Sequence, residues 1–193
     1  MSKIRCDWCL GDKLYENYHD KEWGVPVFDD RLLFESLTLE TFQAGLSWIT
    51  VLHKREHFKK AFDNFDYRKI ASYNIQKEDE LMSNPSIIRN RQKIESSIKN
   101  AKSFMKIQKS KGSFSNYIWG FVSGDPILNK YKKLKEIPTY TSLSKSISKD
   151  LKQNGFKFIG PTVVYSYMQA IGIVNDHLVD CFRYSKAGLN LKR

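Results

Sequence analysis

The chain has little cysteine, three residues among 193, and no apolar run near the ~18 residues that span a bilayer. Three thiols, Cys6, Cys9 and Cys181, are an awkward number for a disulfide framework. The opening residues, Met-Ser-Lys-Ile-Arg-Cys-Asp-Trp, lack the apolar centre of a signal segment. Together these absences predict a cytoplasmic protein without membrane attachment, whose reduced cysteines are free for metal. No stretch sustains the apolar–polar alternation of a strand, and no repeat or low-complexity linker is present. Acids are also short, 21 against 32 Lys and Arg, which leaves a net charge of +11. Such a balance favours a polyanion, most simply nucleic acid. A membrane surface is disfavoured because the cations are not gathered on one amphipathic helix.

What is present can build a core. Apolar residues make up 41% of the chain, with 12 Phe, 10 Tyr and 4 Trp. Aromatics in that number serve both packing and base stacking. The expected class is all-α, one unit over 1–193 in one or two lobes. Residues 1–28 read as irregular. Asp29 or Asp30 caps a helix running to about Ala44, and Ser47 caps another that carries Trp48, Phe58 and Phe62. Short helices are expected at 67–72 and 76–83, and a long one at about 87–108 with Arg89, Arg91, Lys93, Lys99, Lys102 and Lys106 on its basic face. A short aromatic helix at 114–122 precedes a loop at 124–138. Thr141 or Ser142 opens a helix to Gln153, closed at Asn154-Gly155. Pro161 then opens one to Ile171. A last helix is expected over 176–182, with a loose basic tail over 187–193.

Three constellations carry chemistry. Leu39 to Trp48 sets one acid, Glu40, in an apolar run, with an indole eight positions on and Gly45 and Ser47 between. A carboxylate facing an indole would suit a flat ring with a polar edge, although most glutamates are simply exposed. Secondly, His177 and Cys181, one turn apart on a helix, could join Cys6 and His19 in a closed tetrahedral zinc site. Cys9 is a substitute for Cys6, because Cys6-x-x-Cys9 is itself a chelating or redox spacing. Thirdly, Gly155 to Val163 reads as helix, short turn, helix. Its glycines free backbone N–H groups and the next helix points its positive end outward, a place for one phosphate, with Lys157 and Thr162 adding contacts. An ordinary glycine-capped hairpin has the same signature.

Taken together, these stretches resemble the 3-methyladenine DNA glycosylase I family. The matching pieces are Arg-Cys-x-Trp at 5–8, Tyr-x-x-Tyr-His-Asp-x-Glu-Trp-Gly-Val-Pro at 15–26, Leu-Phe-Glu at 33–35 and Gln-Ala-Gly-Leu-Ser-Trp-Ile-Thr-Val-Leu at 43–52. Ile-Ile-Arg-x-Arg-x-Lys-Ile at 87–94, Gly-Phe-Lys-Phe-Ile-Gly at 155–160 and Val-Asn-Asp-His at 174–177 complete the set. The resemblance implies a helix-hairpin-helix glycosylase fold with the hairpin at about 141–172. It implies a structural zinc ion on Cys6, His19, His177 and Cys181, and a base pocket of Tyr15, Tyr18, Glu40 and Trp48, with Glu40 as the catalytic candidate. Gly155, Lys157, Gly160 and Thr162 would meet DNA.

The implied activity is hydrolysis of the N-glycosidic bond of 3-methyladenine, flipped out of double-stranded DNA by a monomeric enzyme. Where wider relatives carry a catalytic Asp, this sequence has Asn175, and residues 161–167 lack the lysine of lyase members. A monofunctional hydrolase with a narrow substrate range is therefore expected. The rivals are a zinc-stabilised DNA-binding module without catalysis and a zinc deaminase. No His-x-Glu precedes Cys6-x-x-Cys9, so the deaminase pattern is incomplete.

Overall fold

Capping side chains set most of the helix starts in the computed structural model, which describes residues 3–184. Asp12 accepts from the Tyr15 N–H and opens α1 (Lys13–Lys21). Asp29 does the same for Leu32 and opens α2 (Asp30–Gln43). α3 (Trp48–His53) and α4 (Arg55–Ala61) follow. One helix was expected here, but the chain bends at Lys54, whose ammonium reaches the Ser86 carbonyl at 3.0 Å. Asp66 and Asn74 cap α5 (Tyr67–Ala71) and α6 (Ile75–Ser83). The long helix, α7 (Arg91–Lys111), begins later than its periodicity predicts, because Asn90 takes the cap by accepting from the Lys93 N–H.

α8 (Phe114–Gly120) is capped twice. Ser113 accepts from the Asn116 N–H, and Asp30 of α2 accepts from Phe114 and Ser115 at 3.0 and 2.8 Å. The last pair, α9 (Ser142–Gln153) and α10 (Pro161–Ala170), forms the expected hairpin. Gly155 lies in the turn at φ +92°, and a Cβ there would meet Ser103 Oγ at 2.9 Å. The expected loose tail lies outside the described residues.

Three expectations fail. The N-terminal stretch is not wholly irregular, since it contains α1. Ile127–Leu128 (β1) and Val174–Asn175 (β2) pair in parallel, and two residues are too few to show alternation. The helix expected over 176–182 does not form. Asp176 is buried and accepts from Asn129, Tyr165 and Gln169 at 2.6, 2.6 and 2.8 Å. Asn175 Oδ1 accepts from the His177 N–H. These side-chain bonds pull the backbone into turns and displace the helical pattern.

The packing falls into two buried clusters. The larger runs from Leu33, Phe34 and Phe42 through Phe104 and Phe114 to Tyr167 and Met168. The smaller holds Cys6, Tyr18, Trp23, Leu52 and Cys181. Trp48 packs against both. The N-terminal segment is stitched to the end of α10 by Gly24 N–H to the Gln169 carbonyl (3.0 Å) and Val27 N–H to Ile171 (3.1 Å). Gly172, at φ +74°, permits this approach, as a Cβ there would sit 2.4 Å from the Val25 carbonyl carbon. No described helix is long and apolar enough to cross a membrane.

Candidate functional site

A cavity of about 310 Å³ opens on the seam between the two clusters. Tyr15 and Tyr18 come from α1, Glu40 and Gln43 from α2, Trp48 from the first turn of α3, and Ser166 and Gln169 from α10. Trp8, Trp23, Leu134 and Ile137 complete the wall. All four sequence-predicted pocket residues therefore meet in one cavity. Tyr18 and Trp48 lie 5.2 Å apart between ring centres and are tilted by 45°. Trp8 packs on Tyr15 at 4.8 Å and on Trp23 at 4.9 Å.

Glu40 is only 4% exposed, and its Oε2 has no hydrogen-bond partner. Burial raises its carboxyl to about 8, so the free site holds it largely neutral at pH 7. The Trp48 indole N–H is buried and equally unpartnered. An unmet acceptor and an unmet donor each cost about 1–3 kcal/mol when buried. Two of them in one cavity form a polar edge that a ligand can satisfy. Burial also raises Tyr15 to about 12 and Tyr18 well above the usual phenol range, so both remain neutral and can donate. Aromatic faces with one carboxyl group favour a flat ring carrying an amine or a positive charge.

The segment linking Glu40 to Trp48 is held from beneath by Lys93. Expected on an exposed basic face, Lys93 is instead buried. Its ammonium donates to the Phe42 and Ala44 carbonyls at 2.8 and 2.6 Å. These carbonyls end α2, where the helix dipole attracts a cation. Helical periodicity could not reveal this, because the partners lie on another element. A second cation, Arg55 of α4, donates to Glu22 at 2.6 Å and Glu35 at 2.7 Å. It ties the end of α1 to α2, and so Tyr18 to Glu40.

Cys6, His19, His177 and Cys181 converge beside this pocket, with all four ligand atoms within 4.8 Å of one another and every residue buried. The sequence placed His177 and Cys181 on one helix; the structure brings them together through a turn instead. Cys181 Sγ lies 3.5 Å from His19 Nε2 and 3.6 Å from His177 Nδ1, and Cys6 Sγ lies 3.8 Å from His177 Nδ1. The outward nitrogens are fixed. His19 Nδ1–H donates to Asp20 at 2.9 Å, and His177 Nε2–H donates to the Trp23 carbonyl at 3.1 Å. Lone pairs are thereby turned inward. The closeness of the two thiols raises Cys6 and holds Cys181 far below the usual thiol range, and the His177 and His19 contacts lower Cys181 further. The cluster could hold one metal ion. Cys9 is not part of it, because its thiol donates to the Cys6 carbonyl at 3.1 Å.

The turn expected to take a phosphate lies between α9 and α10. Gly160 is the N-cap of α10 and carries no side-chain cap, with Pro161 in the first turn. Lys157 and Thr162 are exposed beside it. The Lys157 N–H is not free as expected: Asn100 Oδ1 accepts it at 2.7 Å, and Asn100 Nδ2 returns a bond to the Lys157 carbonyl. Sequence reasoning missed Trp8, Trp23, Gln43, Ser166 and Gln169 as pocket walls. Trp8 and Trp23 stand two and four positions after metal-capable residues, and that interleaving was a usable signal.

The chain is mostly helical, and its cavity joins a buried carboxyl group to tyrosines and an indole, an arrangement that suits a flat, amine-bearing ring. The comparisons with known proteins narrow that reading. The profile of the methyladenine glycosylase family matches residues 8–184. The DNA-3-methyladenine glycosylase of Haemophilus influenzae is 49% identical over 177 residues, 92% of this chain and 96% of that protein. A crystal structure of 3-methyladenine DNA glycosylase I superposes with a TM-score of 0.90 at 47% identity, covering 93% of this chain and 98% of the other. A variant of such an enzyme, solved in complex with 3-methyladenine, gives 0.90 at 39% identity over 93% and 97%. The chain belongs to the methyladenine glycosylase family.

Proposed function

We propose that this protein is a DNA glycosylase of base-excision repair that hydrolyses the N-glycosidic bond of 3-methyladenine. The observation that carries the reading is the buried, unpartnered Glu40 carboxyl in an aromatic cavity, which a non-catalytic DNA-binding module would not need. A base inside a duplex is out of reach, so it must be flipped into the pocket. The purine stacks on Trp48, with Tyr15 near its other face. Glu40 accepts from the exocyclic amine, and Tyr18 adds a polar contact at the edge. Methylation at N3 makes the base cationic, and the rings and carboxylate favour a cation. Such a base is already activated to leave as a neutral purine, so water completes the reaction with modest help. Among the residues lining the cavity, Glu40 is the one carboxylic acid.

DNA backbone contacts fall to the helix-hairpin-helix, α9 and α10. The uncapped α10 terminus suits a phosphate, with Gly155, Lys157, Gly160 and Thr162 around it. Lys145, Lys149 and Lys152 of α9 line a groove with Pro161. α10 contributes Ser166 to the pocket, about 8 Å along its axis from Pro161 at ~1.5 Å per residue. Contacts of this kind hold the strand without reading sequence.

The Cys6, His19, His177 and Cys181 cluster is a structural zinc site. Bonds of about 2.3 Å to sulfur and about 2.0 Å to nitrogen in a tetrahedron put sulfur and nitrogen about 3.5 Å apart, close to the 3.5–3.8 Å separations here. Four protein ligands leave no open position for water, which argues against a deaminase. The ion's task is to pin α1 and its two tyrosines. We read the chain as one monomeric domain, acting on double-stranded DNA in the cytoplasm where the chromosome lies.

Incubating the protein with methylated duplex DNA and resolving the released bases tests this. Free 3-methyladenine should appear without strand cleavage, while hypoxanthine and uracil are left in place. Duplex binding with no released base would establish the non-catalytic module instead.

A further inference from the structure

The stretch from Asn129 to Ile137 was read as a plain loop, and the function above gives it no task. Its composition is unusual: Lys130, Lys132, Lys133 and Lys135 fall within six residues. All four are exposed. Arg5, Arg55, Lys59, Lys77 and Arg91 sit in ion pairs, whereas Lys60, Lys109, Lys111 and the α9 lysines, like this loop, are spread on the surface. What sets this loop apart is four lysines within six residues beside the pocket wall. These four lysines have no ion pair among the described residues. The single acid of the stretch, Glu136, spends a carboxylate oxygen on the backbone N–H groups of Lys132 and Lys133, at 2.8 and 3.2 Å. Glu136 thus shapes the turn. After the two backbone N–H bonds, Lys133 and Lys135 lie near enough to help hold its carboxyl below the usual range, but form no ion pair with it.

The loop is also firmly placed. β1 pairs with β2 just before it, and the Val179 N–H donates to the Tyr131 carbonyl at 3.0 Å. Both anchors belong to the segment that carries His177. Most tellingly, Leu134 and Ile137 are walls of the cavity that holds Glu40 and Trp48. Lys133 and Lys135 flank the wall residue Leu134 in sequence, and Lys130 and Lys132 lie on the same short loop. Four exposed cations on a loop that walls the pocket a nucleotide must enter are placed to meet the phosphates of that nucleotide's own strand.

We propose that Lys130, Lys132, Lys133 and Lys135 form a second DNA-binding element, separate from the helical hairpin. It grips the backbone of the strand whose base enters the pocket, while Leu134 and Ile137 close the pocket from the same loop. The proposal rests on the glycosylase reading above. It adds a specific consequence: contacts to phosphate are counted in the salt dependence of binding, at about 0.9 in the slope of log K against log salt per phosphate neutralised.

The test compares the protein with the K132Q/K133Q/K135Q variant on a duplex carrying one tetrahydrofuran abasic site, titrated from 50 to 200 mM salt. A K60Q/K109Q/K111Q variant, with the same charge change on α4 and α7, is the control. The loop variant should lose about 2 to 3 from the slope and bind about tenfold or more weakly at the lower salt. The control should keep the slope within about one unit. Affinity for free 3-methyladenine should stay within about twofold in both variants, showing that the pocket is intact. An unchanged slope in the loop variant, or an equal fall in the control, overturns the proposal. Excision of 3-methyladenine by the unaltered protein in the same preparation separates the two levels: its absence would overturn the glycosylase reading, whatever the slopes.

Discussion

The pocket and the cysteine–histidine cluster share a wall, since Trp8 packs on Tyr15 on one side and on His19 on the other. They are built on opposite principles. In the cluster, the outward polar atoms are tied: Asp20 takes His19, a carbonyl takes His177, and the Leu178 and Arg183 N–H groups donate to Cys6 and Cys181 at 3.4 Å. In the pocket, Glu40 Oε2 and Trp48 Nε1 are buried without partners. Satisfied surroundings fix one arrangement permanently. Unsatisfied ones cost stability in the free protein and return it when a ligand arrives. The contrast distinguishes a part that is held from a part that waits.

The comparison can be broken most severely at the cluster. Cys181→Ser should reduce bound zinc from one per chain to near zero by elemental analysis. Loss of several kcal/mol should lower Tm by about 10 °C or more. Cys9→Ser should leave both readings unchanged, which also settles Cys6 against Cys9. At the pocket the order of effects reverses. Glu40→Gln should cut kcat/KM for 3-methyladenine excision by about 100-fold, while Tm stays level or rises, because a buried unpartnered acid is removed. A fall in Tm comparable to that of Cys181→Ser would erase the distinction.

The same acid sharpens the comparison through pH. Its folded carboxyl is raised to about 8 from an unfolded value near 4.5, so the folded state binds the extra proton between those values. Its contribution to stability is present below about pH 4.5 and is lost as pH rises towards 8. An amine donating to the ionised form pulls the other way, so affinity for 3-methyladenine should climb over the same interval and level off above about pH 8. Calorimetry in buffers of different ionisation enthalpy should register a proton released on binding, absent in Glu40→Gln. Asp20→Asn is the gentler probe of the cluster: zinc affinity should fall about 10- to 100-fold with excision retained under excess zinc. The smallest effect belongs to Trp48→Phe, which keeps a ring and removes the indole N–H, for about a tenfold loss in kcat/KM.

Local chemistry made much of this readable beforehand. Asp29, Asn154-Gly155 and Pro161 announce the ends of α2, α9 and α10, since caps act within one turn. Metal-capable residues could be named from their spacing and Glu40 and Trp48 from the run that holds them, whereas Tyr15 and Tyr18 entered the pocket only through the family resemblance. What escaped was non-local or had no periodic signature. α1 has few apolar residues, and its cap Asp12 was passed over. Lys93 follows the basic rhythm of α7 yet belongs to the end of α2. The turn over 176–182 depends on Tyr165, Gln169 and Asn129, which no window around His177 contains. Pocket walls contributed by single residues from distant elements, such as Gln169 and Leu134, are set only by the assembled fold.

The stitching of residues 24–27 to the end of α10 has a consequence in time. Cys6 and His177 stand 171 positions apart, so closing that loop is a late event for a chain made from its N-terminus. Tyr15 and Tyr18 leave the ribosome well before His177 and Cys181, yet they gain their places only after α10 and the segment beyond it have emerged. An interrupted translation product thus carries half of a binding cavity and no lock to shape it.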